Sequence, residues 1–133
     1  MSNVSKVTSR FIGTGLDTST TAIAAEQSPA DGTALALTAA AATFSGAGGE
    51  ANCVVQKITL TSGTGDDNSD VTYTIVGKDG LHKTITEDLV GGAGAATVTS
   101  VNFYSKIDSI TGNGAASVDI SAGVTKTGMH AVI

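Results

Sequence analysis

Tryptophan is absent from this 133-residue chain, and the other aromatics are few: Phe11, Phe44, Tyr73, Phe103 and Tyr104. Aromatic side chains supply the largest buried areas in most cores. The core here must instead be thin and built on Val, Ile and Leu, because much of the 41% hydrophobic content is alanine, which buries little area per residue. Domains with modest cores often gain stability by oligomerising. A single cysteine, Cys53, rules out an intrachain disulfide framework.

Charge is the next shortage. Charged residues make up 14% of the chain, against about 25% in ordinary globular domains. The surface must therefore be finished in Thr, Ser, Gly and Ala, which suits broad, weakly charged contacts with other protein. The net charge is -5, and Lys and Arg nowhere cluster. Phosphate backbones need a basic patch, so no nucleic-acid partner is expected. No apolar run approaches the roughly 20 residues that span a bilayer. The opening "MSNVSKVTSRFIGTG" also lacks the apolar core of a signal peptide. The expectation is a soluble chain made in a cytoplasm, with no membrane partner.

Proline occurs once, at Pro29, in a first half that changes character near residue 50. Residues 1–50 are rich in Ala, Ser, Thr and Gly and show weak periodicity. Residues 1–30 read as an extended N-terminal arm, a type of segment that orders on a neighbouring subunit or stays mobile. Residues 31–133 read as one β-domain. Within them, "TALALTA" (33–39) alternates Leu35 and Leu37 as a short strand, with a helical turn over the alanines as the competing reading. "SGAGGE" (45–50) reads as a flexible loop.

The second half alternates more clearly. "CVVQKITLTS" (53–62) sets Val54, Gln56, Ile58 and Leu60 on one face and Cys53, Val55, Lys57 and Thr59 on the other. "DVTYTIVG" (70–77) sets Val71, Tyr73 and Ile75 against Thr72, Thr74 and Val76. "LHKTITEDL" (81–89) sets Leu81, Lys83, Ile85, Glu87 and Leu89 against His82, Thr84, Thr86 and Asp88. Between the last two, Lys78, Asp79 and Gly80 mark a hairpin tip. Asp-Gly is a strong turn signal because glycine accepts the positive φ such turns demand. "GGAGA" (91–95) breaks the chain, and "ATVTSVNFYSKIDSIT" (96–111) offers one kinked strand or two. After a turn at "GNGA" (112–115), "SVDISAG" (117–123) and "MHAVI" (129–133) read as separate closing strands. Short strands punctuated by Gly, Asn and Asp predict an all-β fold, a single β-sandwich or jelly-roll-like domain. Convincing helices and long repeats are missing.

Candidates for chemistry are weak one by one. His82 is a possible general base, with Glu87 or Asp88 to orient it. Five or six residues along one strand, however, separate these groups by about 16 to 20 Å. His130 has no carboxylate near it in sequence, and Cys53 has no base to make it a thiolate. Asp66, Asn68 and Asp70 begin like an EF-hand calcium loop, but Val71 stands where the glycine belongs and Gly77 where the bidentate glutamate belongs. These three are weak metal candidates. "GAGGE" and "GGAGA" lack both the G-x-G-x-x-G spacing and a following helix, so phosphate cradling is not expected. The expectation is no catalytic residue, no cofactor and no enzyme, with a metal-dependent enzyme as the remote alternative.

Residues 71–124 resemble a recurrent element of tailed-bacteriophage virion proteins. The shared pattern appears here as Thr74, Gly77, Asp79, Gly80, Thr86, Glu87, Leu89, Gly91, Thr97, Val98, Thr99, Ser100, Phe103, Ile107, Ser109, Ile110 and Thr111. The Gly-Pro common after the "TExL" part is Gly91-Gly92 here, and the insertion before the Asp-Gly turn is shorter. Within that class, small all-β chains of this length are similar to capsid decoration (cement) proteins. The resemblance implies a homo-oligomer, typically a trimer, bound to the major capsid protein on the outer capsid and stabilising the head. It also implies an N-terminal arm that contacts the shell. The arm residues expected at a capsid or subunit contact are Val4, Lys6, Val7, Arg10, Phe11 and Ile12. The alternative within the virion is a tail, neck or fibre-associated component.

Overall fold

The computed structural model describes residues 18–37, 54–65, 67–115 and 119–131, with backbone alone for Val54 and for residues 126–131. Among these residues seven strands run in chain order: β1 (Ser19–Gln27), β2 (Val54–Ser62), β3 (Thr72–Lys78), β4 (Thr84–Val90), β5 (Thr97–Thr99), β6 (Lys106–Gly112) and β7 (Ile120–Ala131). They form a four-stranded sheet, β1-β7-β2-β5, and a three-stranded sheet, β4-β3-β6. Every strand pair is antiparallel. The β2–β3, β4–β5, β5–β6 and β6–β7 connections cross from sheet to sheet. One apolar cluster draws on both sheets: Ile23 and Ala24 of β1, Ile58 and Leu60 of β2, Tyr73 and Ile75 of β3, Ile107 and Ile110 of β6, and Ile120, Ala122 and Val124 of β7. The fold is thus an all-β sandwich, and its described connections do not establish a jelly roll. Each fully buried Ile or Leu contributes about 1.5–3 kcal/mol, so a thin core lacking Trp still closes.

The β3–β4 hairpin follows its sequence pattern. Burial alternates strictly along β3, with Tyr73 and Ile75 inward. On β4 the half-buried positions are Ile85, Glu87 and Leu89. The hairpin forms where expected, but its tip is Gly80, Leu81 and His82 rather than Lys78, Asp79 and Gly80: Lys78 still pairs with Thr84 at the end of β3, and the positive φ falls on His82 (62°) and not on Gly80. The Asp79 amide donates to the Lys83 carbonyl at 2.9 Å and the His82 amide to the Asp79 carbonyl at 3.1 Å. This is the bonding of a three-residue loop that ends on a left-handed residue. Asp79 organises it further. Its Oδ1 accepts the amides of Leu81 (2.8 Å) and Lys83 (2.9 Å).

Elsewhere the structure departs from expectation. The C-terminal part of the expected arm is β1, paired with β7, and Ile23 and Ala24 are fully buried. The segment is extended, as read, but it pairs with its own domain. Residues 33–37 contribute one bridge, Ala34 to Thr111, rather than a strand; Leu35 is buried and Leu37 half-buried. Residues 96–111 divide into two strands, β5 and β6. The two closing strands are a single strand, β7. Its Gly123 is not a break: a Cβ there would overlap the Ser19 carbonyl oxygen, so glycine lets β1 cross against it.

Candidate functional site

The candidate general base His82 is not brought together with either of its candidate carboxylates, Glu87 or Asp88. His82 is exposed at the hairpin tip, and Asp88 accepts the Thr74 hydroxyl at 2.7 Å on the outer face of the three-stranded sheet. Glu87 points to the opposite face. Its Oε1 accepts the Val101 amide at 2.6 Å, and its Oε2 accepts the Asn102 amide at 3.0 Å and the Tyr104 hydroxyl at 3.3 Å. One carboxylate of the three-stranded sheet thereby holds the β5–β6 connection. Burial pushes the fully buried Tyr104 phenol above its ordinary range, and the neighbouring Glu87 pushes it further. A phenol so held is a donor to Glu87, not a nucleophile. The signal for this clamp was present in the sequence. Glu87 occupies the inward parity between Ile85 and Leu89, and a carboxylate there needs donors.

Asn68 is likewise structural. It is fully buried: its amide donates to the Gly92 carbonyl at 3.0 Å and its carbonyl accepts the Val71 amide at 3.0 Å. Its Nδ2 reaches Ser62 Oγ at 3.4 Å, and that hydroxyl donates to the Gly92 carbonyl at 2.6 Å. Gly91 lies so close that a Cβ there would come within 2.5 Å of the Asn68 carbonyl oxygen. Asp70, by contrast, is exposed, and Asp66 lies outside the described residues. The three metal candidates are therefore not brought together by what is described. Asp67 caps the same turn, accepting the Ser69 amide at 2.9 Å; hydrogen bonds from Ser69 hold its carboxyl below the usual range. Among the described residues, no group of three or more His, Cys, Asp or Glu side chains is arranged to hold a metal ion.

Cys53 and the arm residues Val4, Lys6, Val7, Arg10, Phe11 and Ile12 lie outside the described residues. The backbone of His130 pairs with Val55 in β7, and its side chain is outside them too. A shallow polar hollow between Thr20–Thr21 and the Thr61–Thr64 turn carries one carboxylate, Glu26. Among the described residues no helix is long and apolar enough to cross a membrane. No protein family, no curated protein and no solved structure matches the chain.

Proposed function

We propose that this chain is a structural protein of a tailed-phage virion that decorates the outer capsid, binding the major capsid protein and stabilising the head. The observation that carries the reading is what the phage-like pattern does in this fold. Its residues serve one another's placement. Asp79 shapes the hairpin tip, and Glu87 clamps the chain between β5 and β6. Ser100 Oγ accepts the Ile58 amide at 2.9 Å and donates to the Asn102 carbonyl at 2.8 Å. A Cβ on Gly77 would overlap the Lys106 carbonyl oxygen, and Ile107 and Ile110 fill the core. A pattern spent on scaffold fits a protein whose work is to hold shape and present surface. The sparse charge and the Thr-rich strands fit the same role, with arm residues Val4, Lys6, Val7, Arg10, Phe11 and Ile12 as the proposed contact with the shell or with sister subunits.

Quantitative mass spectrometry of purified virions that encode the chain tests this. Copies in the hundreds, near the number of the major capsid protein, are the expected result. A dozen or fewer would move the chain to the neck or tail, and its absence from virions would remove the structural reading.

A further inference from the structure

The two sheets have four edges, and three are blunted in ways that discourage further strand pairing. β1 carries two register irregularities against β7. β5 is three residues long. β6 is bridged by Ala34 at Thr111, and the Leu35 amide donates to the Ile110 carbonyl at 2.9 Å. β4 differs from all of them. It runs seven residues, contains no proline, and keeps unbroken register with β3 from Thr72↔Val90 to Lys78↔Thr84. Among the described residues nothing bridges its outer side. The bonds Asp79 N to Lys83 O and Gly91 N to Val71 O fix the phase of the β3–β4 ladder. Residues 85, 87 and 89 therefore spend their backbone groups on β3. The N–H and C=O of Thr84, Thr86, Asp88 and Val90 point away from it, toward the open edge.

We propose that this edge docks a second copy of the chain, the two β4 strands pairing antiparallel about a two-fold axis through Thr86. Charge and occupancy favour that register over its neighbours: an axis through Ile85 would face Lys83 with Glu87, a carboxylate already held by the Val101 and Asn102 amides and the Tyr104 hydroxyl. An axis through Glu87 would set two Glu87 carboxylates opposite each other, and one through Asp88 would do the same with Asp88; like charges directly opposite are unfavourable. With the axis at Thr86, Thr86 faces its own copy and Thr84 faces the second copy's Asp88. Lys78 Nζ already rests on the Thr84 hydroxyl. Its ammonium therefore lies beside the place the second copy's Asp88 takes, and symmetry repeats the contact. Within one chain this ion pair cannot form, because Thr84 and Asp88 are about 13 Å apart along the strand. The pairing also brings the end of β4 that carries Val90 to the partner's hairpin tip, which carries Leu81. Both side chains are exposed, at 51% and 77%. The result is a continuous six-stranded sheet across the dimer. Pairing through β4 requires no particular place in a virion, nor a virion at all.

Sedimentation of the full chain tests it. The wild type is expected at about twice the 13.1-kDa chain mass. Lys78→Asp and Asp88→Lys each place like charges across the axis and should weaken self-association on the order of tenfold. The double variant Lys78→Asp/Asp88→Lys should restore it, a rescue that a within-chain role would not produce. Thr86→Pro removes only an outward N–H, so it should give a folded monomer by circular dichroism. A wild type that stays monomeric at millimolar concentration overturns the proposal. So does an oligomer of any size that survives both single charge reversals, or a double variant that fails to re-associate while remaining folded.

Discussion

The three-stranded and four-stranded sheets bury their strands differently, and the difference decides how each reads in sequence. β3 has one covered face and one half-exposed face, so its burial alternates at every residue. Residues 55–60 of β2 and residues 120–124 of β7 include buried positions on both faces. Val55, Thr59, Ser121 and Gly123 are buried alongside Ile58, Leu60, Ile120, Ala122 and Val124. Where both faces are closed, the period-two signal vanishes. Small residues then appear because another backbone comes close, not because the strand ends.

The sharpest way to break this comparison is at Gly123. Gly123→Ala puts a methyl group into the Ser19 carbonyl and should cost about 3 kcal/mol, the upper range of overpacking. The matched change on the three-stranded sheet, Val76→Ala at a half-exposed outer position, should cost only about 0.5 kcal/mol. Urea midpoints of the two variants measure the contrast. Equal costs would mean that the outer face of the four-stranded sheet is open after all.

The next effect concerns the link between the sheets. Glu87→Ala removes a carboxylate that accepts two consecutive backbone amides, and charge-assisted bonds of this kind contribute about 1.5–3 kcal/mol. A stability loss of about 2 kcal/mol is expected, with hydrogen exchange at Val101 and Asn102 accelerated more than in β3. Protection unchanged at those two amides would show that the clamp does not form in solution.

These contrasts explain what was legible. The hairpin, the alternating faces of β3 and β4, and the sandwich class followed from period-two patterning over Val71, Tyr73, Ile75, Ile85 and Leu89. β1 was missed as a strand because "STTAIAAEQ" offers one large apolar side chain, Ile23; its partner β7, not its own sequence, makes it a strand. In the sequence Glu87 stands beside Asp88 as a carboxylate that could orient His82, at a separation along the strand too long for contact. Its real donors, Val101 and Asn102, come from another sheet connection, and no local signal names them. Asn68 looked like a ligand because spacing alone cannot tell an inward amide from an outward one.

The tyrosines sharpen the comparison through pH. Tyr73 and Tyr104 are both fully buried, but the Tyr104 hydroxyl has Glu87 while the Tyr73 hydroxyl has no hydrogen-bond partner among the described residues. Burial first, and then Asp70 beside Tyr73 and Glu87 beside Tyr104, raise both phenols above the ordinary value of 10.0. A raised phenol stays neutral in the fold while the unfolded chain ionises. Its contribution is therefore complete below about pH 10 and is lost as pH rises beyond it. Stability should fall above that pH, less steeply in either Tyr→Phe variant. At neutral pH Tyr104→Phe should cost about 1 kcal/mol, whereas Tyr73→Phe should cost nothing or add up to about 1 kcal/mol, because it removes an unsatisfied hydroxyl. A wild-type stability that stays flat through the alkaline range would contradict both assignments.

The smallest effects test where the turns hold their strain. Among the described residues, two non-glycine residues have left-handed φ: His82 at 62° in the β3–β4 tip and Ala95 at 61° in the turn before β5. At the second turn Gly94 shares the left-handed conformation (58°), and the Ala96 amide donates to the Ala93 carbonyl at 3.2 Å, as a type I′ turn requires. A non-glycine residue in this region costs about 1–2 kcal/mol. Glycine removes that strain but gives back part of the gain through the freedom it adds to the unfolded chain. His82→Gly and Ala95→Gly should therefore each raise stability, by up to about 1 kcal/mol. Gly80 is the discriminating control, since its φ is not positive despite the Asp-Gly sequence. Gly80→Val should cost no more than about 0.5 kcal/mol, the range of ordinary surface changes. If thermal melts instead show Gly80→Val losing well over that while His82→Gly gains nothing, the loop turns on Gly80. The tip would then be a two-residue turn and not the three-residue loop with His82 at its left-handed end.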